Sequence, residues 1–395
     1  MLNAYLGNQI QGTPYATIHK QLRLKDYVAI TADEVQLKQI VTSPFNFLNL
    51  CDSFAKSLLP YVDVPSDIAT KTDYADTLIY KNGKVYGYNC LYESFIKLLK
   101  MHKIHCKDKT AVILGESPIN KSIRLALQSL GISSVINVGS TDDITPICAS
   151  ILINVQPNAT CNLKDFKGLN FLLDCSYTNL NTPLTLSAKE LHVKHATGMA
   201  LLAFKCALGE KLLYNDLSVN EIEKAFNHFY LSNTNIVLVG MDGCGKSKLG
   251  QTISKMTNIP VYDSDTLLEE AHGKPAFDLY MQLGEEEYRK EEGKIIAKLS
   301  QMHGVIIATG GGVIVKKENC ENLKLNGKIY FIDRPVYMLA RKNRPLYTDT
   351  PTMYAIHRKR LPLYERYANM RISNGKTLEQ TAKRIISDFF NNVAF

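Results

Sequence analysis

Long apolar runs are missing from this chain of 395 residues. Apolar residues make up 45% and charged residues 21%, yet nowhere do the roughly twenty apolar residues of a bilayer-spanning helix follow one another. A soluble protein of ordinary globular composition is expected, with no membrane partner. An export signal is lacking too: Met1 to Gln11 has no basic start followed by an apolar stretch, and no Arg/Ser-rich transit segment replaces it, so a cytoplasmic location is expected. Paired cysteines are absent. The nine cysteines are scattered singly, with no C-x-x-C and no Cys/His spacing of a zinc site, which points to reduced thiols rather than disulfides or structural zinc. Acidic residues are in modest deficit, 38 against 46 Lys and Arg, for a formal charge of +8. The basic residues are spread along the chain without an aromatic-basic RNA-binding module, so nucleic acid is not an expected partner; phosphate-bearing substrates account for the bias equally well. No internal repeat or low-complexity segment is visible.

What is present is a chain long enough for two domains, so one active site need not explain all of it. β-type runs at Thr110–Leu114, Ser134–Val138, Ile151–Val155 and Phe171–Asp174 alternate with helical patterns, which argues for parallel-sheet α/β units. A helix is expected over Val219–Tyr230, opened by the N-cap Ser218. Leu231-Ser-Asn-Thr-Asn235 reads as a polar connector and Ile236–Val239 as a fresh strand. The domain boundary is expected in that connector, giving domains 1–232 and 233–395.

The strongest signal follows that strand. Gly240-Met-Asp-Gly-Cys-Gly-Lys-Ser247 satisfies G-x-x-x-x-G-K-S and leads into a helical pattern, Lys248 to Met256. Glycines let backbone N–H groups curl around phosphate oxygens, the helix N-terminus adds partial positive charge, and Lys246 supplies a mobile full charge. Gly243, Cys244, Gly245, Lys246, Ser247 and Lys248 are the candidate nucleotide-binding residues, with Cys244 a small filler rather than a nucleophile. Ser247 would reach Mg²⁺. A glycine-rich turn that merely precedes a helix is the bland alternative; the combined spacing, strand and Lys-Ser pair favour ATP or GTP.

Further along, Ile259–Tyr262 reads as a strand ending in Asp263-Ser-Asp265. One carboxylate could serve the metal and the other an acceptor hydroxyl, while a helix-capping role is the alternative. In Gly284-Glu-Glu-Glu-Tyr-Arg-Lys-Glu-Glu292, Arg289 and Glu292 share a helix face; a solvated charged helix is the commoner meaning of such a run. Val305–Thr309 runs into Gly310-Gly-Gly312, glycines that suit close approach of a ligand or a tight turn. Arg341, Arg344 and Arg360 could form a lid over ATP and a grip on an acceptor carboxylate, or a merely basic surface.

In order, Asp263-Ser-Asp265, Gly284 to Glu292, Thr309 to Gly312, Arg344-Pro-Leu346 and Arg360-Leu-Pro-Leu-Tyr364 behind a P-loop resemble the shikimate kinases over essentially the whole second domain. The resemblance implies that Asp265 binds the acceptor hydroxyls and assists proton removal, and that Arg289 and Arg360 clamp the shikimate carboxylate. It also implies that Gly311 adds a backbone contact, Glu292 orients Arg289, Asp263 supports Mg²⁺ through water and Arg344 closes over the ATP phosphates. Asp265, Lys246 and Arg344 would then be the catalytic set. One departure is Tyr347, where the family usually has another leucine; the lid segment is also short.

The first domain is similar to the shikimate dehydrogenases over roughly Met1 to Leu213. The stretches that carry the likeness are Gly7 to His19, Val41 to Asn46, Asp76 to Leu78, Gly87 to Leu91, Asp174 to Leu184 and Gly198 to Cys206. This resemblance implies a substrate-type subdomain (1–106 and 186–232) around a Rossmann-like subdomain (107–185). The family's Lys and Asp proton-handling pair aligns with Asn46 and Leu91, neither of which transfers protons. The paired substrate serines align with Thr13 and Tyr15, a substrate-site Asn with Asp76 and a Gln with Lys205, while Thr42 and Tyr177 match. Gly115-Glu-Ser-Pro-Ile-Asn120 stands where a pyrophosphate turn is needed, yet Glu116 opposes an anion and Pro118 removes a donor. NADP is not expected to be used.

The expected reading is thus an α/β chain: a degenerate dehydrogenase-like domain followed by a P-loop kinase acting on ATP and shikimate with Mg²⁺. A bifunctional dehydrogenase-kinase needs an unaligned residue to replace Asn46 and Leu91. A non-catalytic nucleotide- and metabolite-binding regulator has Lys246, Ser247, Asp265, Arg289 and Arg360 against it. Gluconate-type and nucleoside-monophosphate kinases would share the P-loop but not Arg289, Glu292 and the triple glycine.

Overall fold

The structure is a computed structural model that describes residues 2–8, 14–24, 26–33, 35–43, 45–139, 147–157, 159, 161–214, 218–340, 350–374 and 377–391. The chain divides into two compact units, Met1–Phe229 and Tyr230–Phe395. The α/β class expected from the alternating runs holds in both.

In the first unit, a six-stranded sheet runs in the order Tyr27–Thr31, Leu2–Gly7, Phe45–Leu50, Thr77–Lys81, Lys84–Tyr88, Val64–Pro65. A second sheet of five parallel strands is ordered Lys194–Thr197, Phe171–Asp174, Ile151–Asn154, Thr110–Leu114, Ser134–Val138. Its central strands are buried along their length, which is why they read as unbroken apolar runs rather than alternating ones. Helix Gly198–Tyr214 then carries the chain back onto helix Cys90–Met101.

Helix Val219–Asn233 begins as expected: the Ser218 hydroxyl accepts the Glu221 amide at 3.3 Å and the Glu221 carboxylate takes the Ser218 amide at 2.9 Å. Its end differs from expectation. The polar stretch from Leu231 continues the helix to Asn233, and the next strand already starts at Asn235. Asn235 belongs to the strand, where it pairs with Gly327, and its side chain ties the entry of the neighbouring strand to it. It donates to the Met302 carbonyl at 2.7 Å and accepts the Val305 amide at 3.1 Å.

The second unit is built on five parallel strands, ordered Val261–Asp263, Ile306–Ala308, Asn235–Val239, Gly327–Asp333, Met370–Ser373. The first strand in sequence therefore lies in the middle; the chain passes from it to the edge strand Val261–Asp263, returns to Ile306–Ala308 beside the centre, and then crosses to the other side. In such sheets the ligand crevice opens at the carboxyl ends of the strands, where the order reverses. Asp242, Asp263, Gly310 and Asn374 all lie at or just past those ends. A core around Ile236–Val239, Ile306, Ile307 and Ile329–Ile332, with Tyr364 and Phe389, supports the crevice from below.

Candidate active site

The nucleotide loop is held open by glycine geometry. Gly243 and Gly245 have φ of +82° and +101°, left-handed values that suit glycine, and Gly245 is the N-cap of helix Lys246–Thr257. The Cys244 thiol is fully buried, consistent with a filler, and its carbonyl accepts Asn374 Nδ2 at 2.6 Å. Lys246 is 6% exposed, and its ammonium donates to the carbonyls of Gly240 and Met241 at 2.8 and 3.1 Å. Ser247 and Lys248 are exposed on the first turn of the helix.

Asp263 caps the next helix, Ser264–His272: its Oδ1 accepts the amides of Asp265 and Thr266 at 3.0 and 3.5 Å. The capping alternative weighed for this pair thus applies to Asp263, and the Asp265 carboxylate is left to face the crevice floor. Desolvation pushes the Asp265 carboxyl up to about 7, with Asp242 and Asp263 adding to the rise, Lys246 opposing it and Glu292 adding a little more.

The run from Gly284 is a long helix, Ala276–Ser300, broken at Gly284 by φ +75°. Beyond that break Arg289 Nη1 donates to both Glu292 oxygens at 2.9 Å, and the two side chains are 5% and 3% exposed. A pair this buried is a positioning device: the carboxylate pins the guanidinium, and either alone would be an uncompensated charge. Arg289 Nε has no hydrogen-bond partner among the described residues, and the same holds for Nη1 of the buried Arg360.

The three glycines after Ile306–Ala308 explain themselves through what rests on them. A Cβ on Gly310 would fall 2.6 Å from Asp265 Oδ1, one on Gly311 would overlap the Asp242 carboxylate, and one on Gly312 would overlap the Arg289 guanidinium. Each glycine is the seat of a charged side chain. Gly311 is held on both sides, its amide donating to Asp242 Oδ1 at 2.8 Å and its carbonyl accepting Tyr364 Oη at 2.6 Å. Lys246, Asp265, Arg289, Glu292, Gly311 and Arg360 thus surround one crevice. Arg341, Arg344 and Tyr347, from which a lid was expected, lie outside the described residues.

A family model for shikimate kinase matches residues 242–389. The shikimate kinase of Clostridium botulinum (strain Eklund 17B / Type B) is 34% identical over 162 residues, covering 40% of this chain and 98% of that protein. The chain belongs to the shikimate kinase family. A second member, the shikimate kinase of Vibrio cholerae (strain ATCC 39541), is 35% identical over 157 residues, 38% of this chain and 88% of that one. The remainder has other relatives in structure. Shikimate dehydrogenase 1 from Peptoclostridium difficile is 16% identical with a TM-score of 0.53, covering 58% of this chain and 98% of its own. The chain therefore joins a shikimate kinase unit to a unit of the shikimate dehydrogenase fold.

In that first unit the structure corrects two sequence assignments. Asn46 donates to Asn3 at 3.1 Å, and the Thr42 hydroxyl goes back to the carbonyl of Gln39 at 2.9 Å; neither lines the small cavity at the heart of the unit. Both lie before or early in strand Phe45–Leu50, whereas the cavity forms past its far end. Asp52 stands there instead, with Tyr15, Leu91, Tyr177 and Lys205. Thr13 lies outside the described residues. Lys205, 3% exposed, is 3.6 Å from Asp76 and 3.9 Å from Asp52, and Asp76 also accepts the amides of Cys90 and Leu91 at 3.0 and 2.9 Å. Burial alone would lower the Lys205 ammonium pKa, but Asp76, Tyr74 and Asp52 more than offset it and hold it well above its usual range. The residual cavity is about 40 Å³. A wider cleft of about 480 Å³ carries Glu116 and Pro118 on its wall.

Proposed function

We propose that the second unit transfers the γ-phosphoryl group of ATP to the 3-hydroxyl of shikimate, and that the first unit performs no hydride transfer. The backbone amides of Gly243 to Lys248 bind the phosphates, and Lys246 leaves its two carbonyl acceptors for a phosphate oxygen. Ser247 and, through water, Asp263 hold Mg²⁺, which neutralises charge on the transferring group when bound. A hydroxyl and a carboxylate are the hard oxygen donors this ion prefers, and two such groups suit an ion carried in with the nucleotide. Asp265 receives and orients the acceptor hydroxyl. The Gly311 amide, Arg289 and Arg360 grip the acceptor carboxylate, Glu292 keeps Arg289 in place, and Arg344 belongs over the phosphates.

The observation that carries this reading is a pair of buried guanidinium nitrogens, Arg289 Nε and Arg360 Nη1, that have no hydrogen-bond partner among the described residues. Buried donors without partners cost about 1–3 kcal/mol each, a cost an incoming carboxylate removes. For the first unit, the support is a Lys205 ammonium held protonated between two carboxylates. That arrangement answers the bifunctional alternative, since a lysine so held is a poor base near neutral pH.

The test is a coupled assay of the full chain with ATP, Mg²⁺ and shikimate beside one with NADP⁺ and shikimate. ADP release that depends on shikimate, with no NADPH formed, is the expected result. NADPH formation would overturn the reading of the first unit, and ADP release indifferent to shikimate would overturn that of the second.

A further inference from the structure

The second variable position of the P-loop carries a carboxylate, and the fold turns it toward Gly311 and Arg360. Asp242 Oδ1 accepts the Gly311 amide at 2.8 Å, and its Oδ2 lies 3.6 Å from Arg360 Nη1. These are two of the three groups assigned above to the acceptor's carboxylate. A carboxylate of the chain's own therefore already sits in the cradle. The fit is built in from the other side as well, because Gly311 can approach only for want of a Cβ, which would overlap Asp242. The contact with Arg360 is incomplete: at 3.6 Å it attracts as a charge but is not a hydrogen bond, and Nη1 keeps an unmade one.

Two carboxylates cannot share one amide N–H and one guanidinium edge at hydrogen-bond distance, since like charges that close repel strongly away from bulk water. We propose that Asp242 is an internal stand-in for the acceptor's carboxylate, displaced when the acceptor binds, and that it thereby sets acceptor affinity; this role rests on the clamp proposed above. In the free enzyme Asp242 keeps Arg360 and Gly311 oriented and part of their charge compensated. The acceptor then gains only the difference between its own contacts and those of Asp242.

Calorimetric titration of the full chain, with MgADP present, measures this directly with shikimate and with its methyl ester. Asp242→Asn keeps the shape and Asp242→Ala removes the group; each is expected to bind shikimate roughly ten-fold tighter than the parent, the scale of one charge-assisted contact. Binding of the methyl ester, which brings no anion, should change less than about two-fold, whereas a merely structural role would move both ligands alike. Arg360→Ala alone should weaken shikimate and should abolish the gain when combined with Asp242→Asn. If Arg360→Ala weakens shikimate but neither Asp242 variant tightens it, the stand-in is wrong and the clamp survives. If Arg360→Ala leaves shikimate binding at the parental value, the clamp is wrong and the stand-in falls with it.

Discussion

Gly312 lies so close to Arg289 that a β-carbon on it would overlap the guanidinium. The third glycine of the triplet is thus the surface on which the buried Arg289–Glu292 pair rests. Gly312→Ala should push Arg289 out of line and raise the KM for shikimate at least roughly ten-fold, with the KM for ATP little changed. Steady-state kinetics with each substrate varied would check it; equal damage to both constants would mean that the glycine serves the fold rather than the clamp.

Asp265→Asn keeps size and hydrogen-bonding shape but removes the carboxylate proposed as the proton acceptor. It should lower kcat by about 10² to 10⁴ while nucleotide affinity stays near the parental value. Single-turnover phosphoryl transfer beside equilibrium binding of a nucleotide separates the two quantities, and an unchanged kcat would take Asp265 out of the chemistry.

Asn374 braces the nucleotide loop from a strand end 130 residues away, giving Nδ2 to the Cys244 carbonyl at 2.6 Å and accepting Thr381 Oγ1 at 3.2 Å. Asn374→Ala removes this brace from the loop, so a loss of about 0.5–1.5 kcal/mol in stability and a several-fold higher KM for ATP are expected. Denaturant unfolding and ATP titration give the two numbers; an unaffected KM would show that the loop keeps its shape unaided.

Asn374 also marks where the sequence stops being legible. The strand, P-loop and helix after Asn235 could be read directly because the glycine spacing and the Lys-Ser pair are local. Arg289 and Glu292 were legible for the same reason, three residues apart on one helix face. Asn374 and Tyr364 act on the site across long sequence separations, so no window around either reveals a target. Asp242 was hidden in another way: it fills a position that the P-loop pattern leaves free, and its partners Gly311 and Arg360 meet it only in the folded crevice. In the first unit, Asn46 was matched by motif to a catalytic position, yet the end of strand Phe45–Leu50 brings Asp52 to the cavity. The place of a side chain there depends on where a strand ends, which composition does not fix.

Lys205 bears on the stability of the first unit. It is the cation beside the fully buried Asp76, so Lys205→Met would strand a buried carboxylate and cost about 3–5 kcal/mol. Lys205→Met combined with Asp76→Asn should recover much of that loss, because the charge is then removed together with its partner. Thermal unfolding of the single and double variants decides it; additive losses would mean that the two residues are not energetically coupled.

The second unit should fold by itself. Every fully buried member of its main core lies between Ile236 and Phe389, so no part of that core is supplied by the first 229 residues. About 160 residues is ample for a single core. Helix Val219–Asn233 spans the division, which makes the cut matter: a fragment beginning at Ser218 keeps the cap that Ser218 and Glu221 form, whereas one beginning at Asn233 starts at the helix's last residue. Both fragments are expected to be soluble and to release ADP in response to shikimate, with stabilities within about 1 kcal/mol of each other, because the helix's Ile222 packs on Ala207 and Leu22, which both fragments lack. Expression of the two fragments, followed by denaturant unfolding and the coupled assay, measures this. If both precipitate while the full chain is active, folding of the kinase core depends on the dehydrogenase-like unit after all.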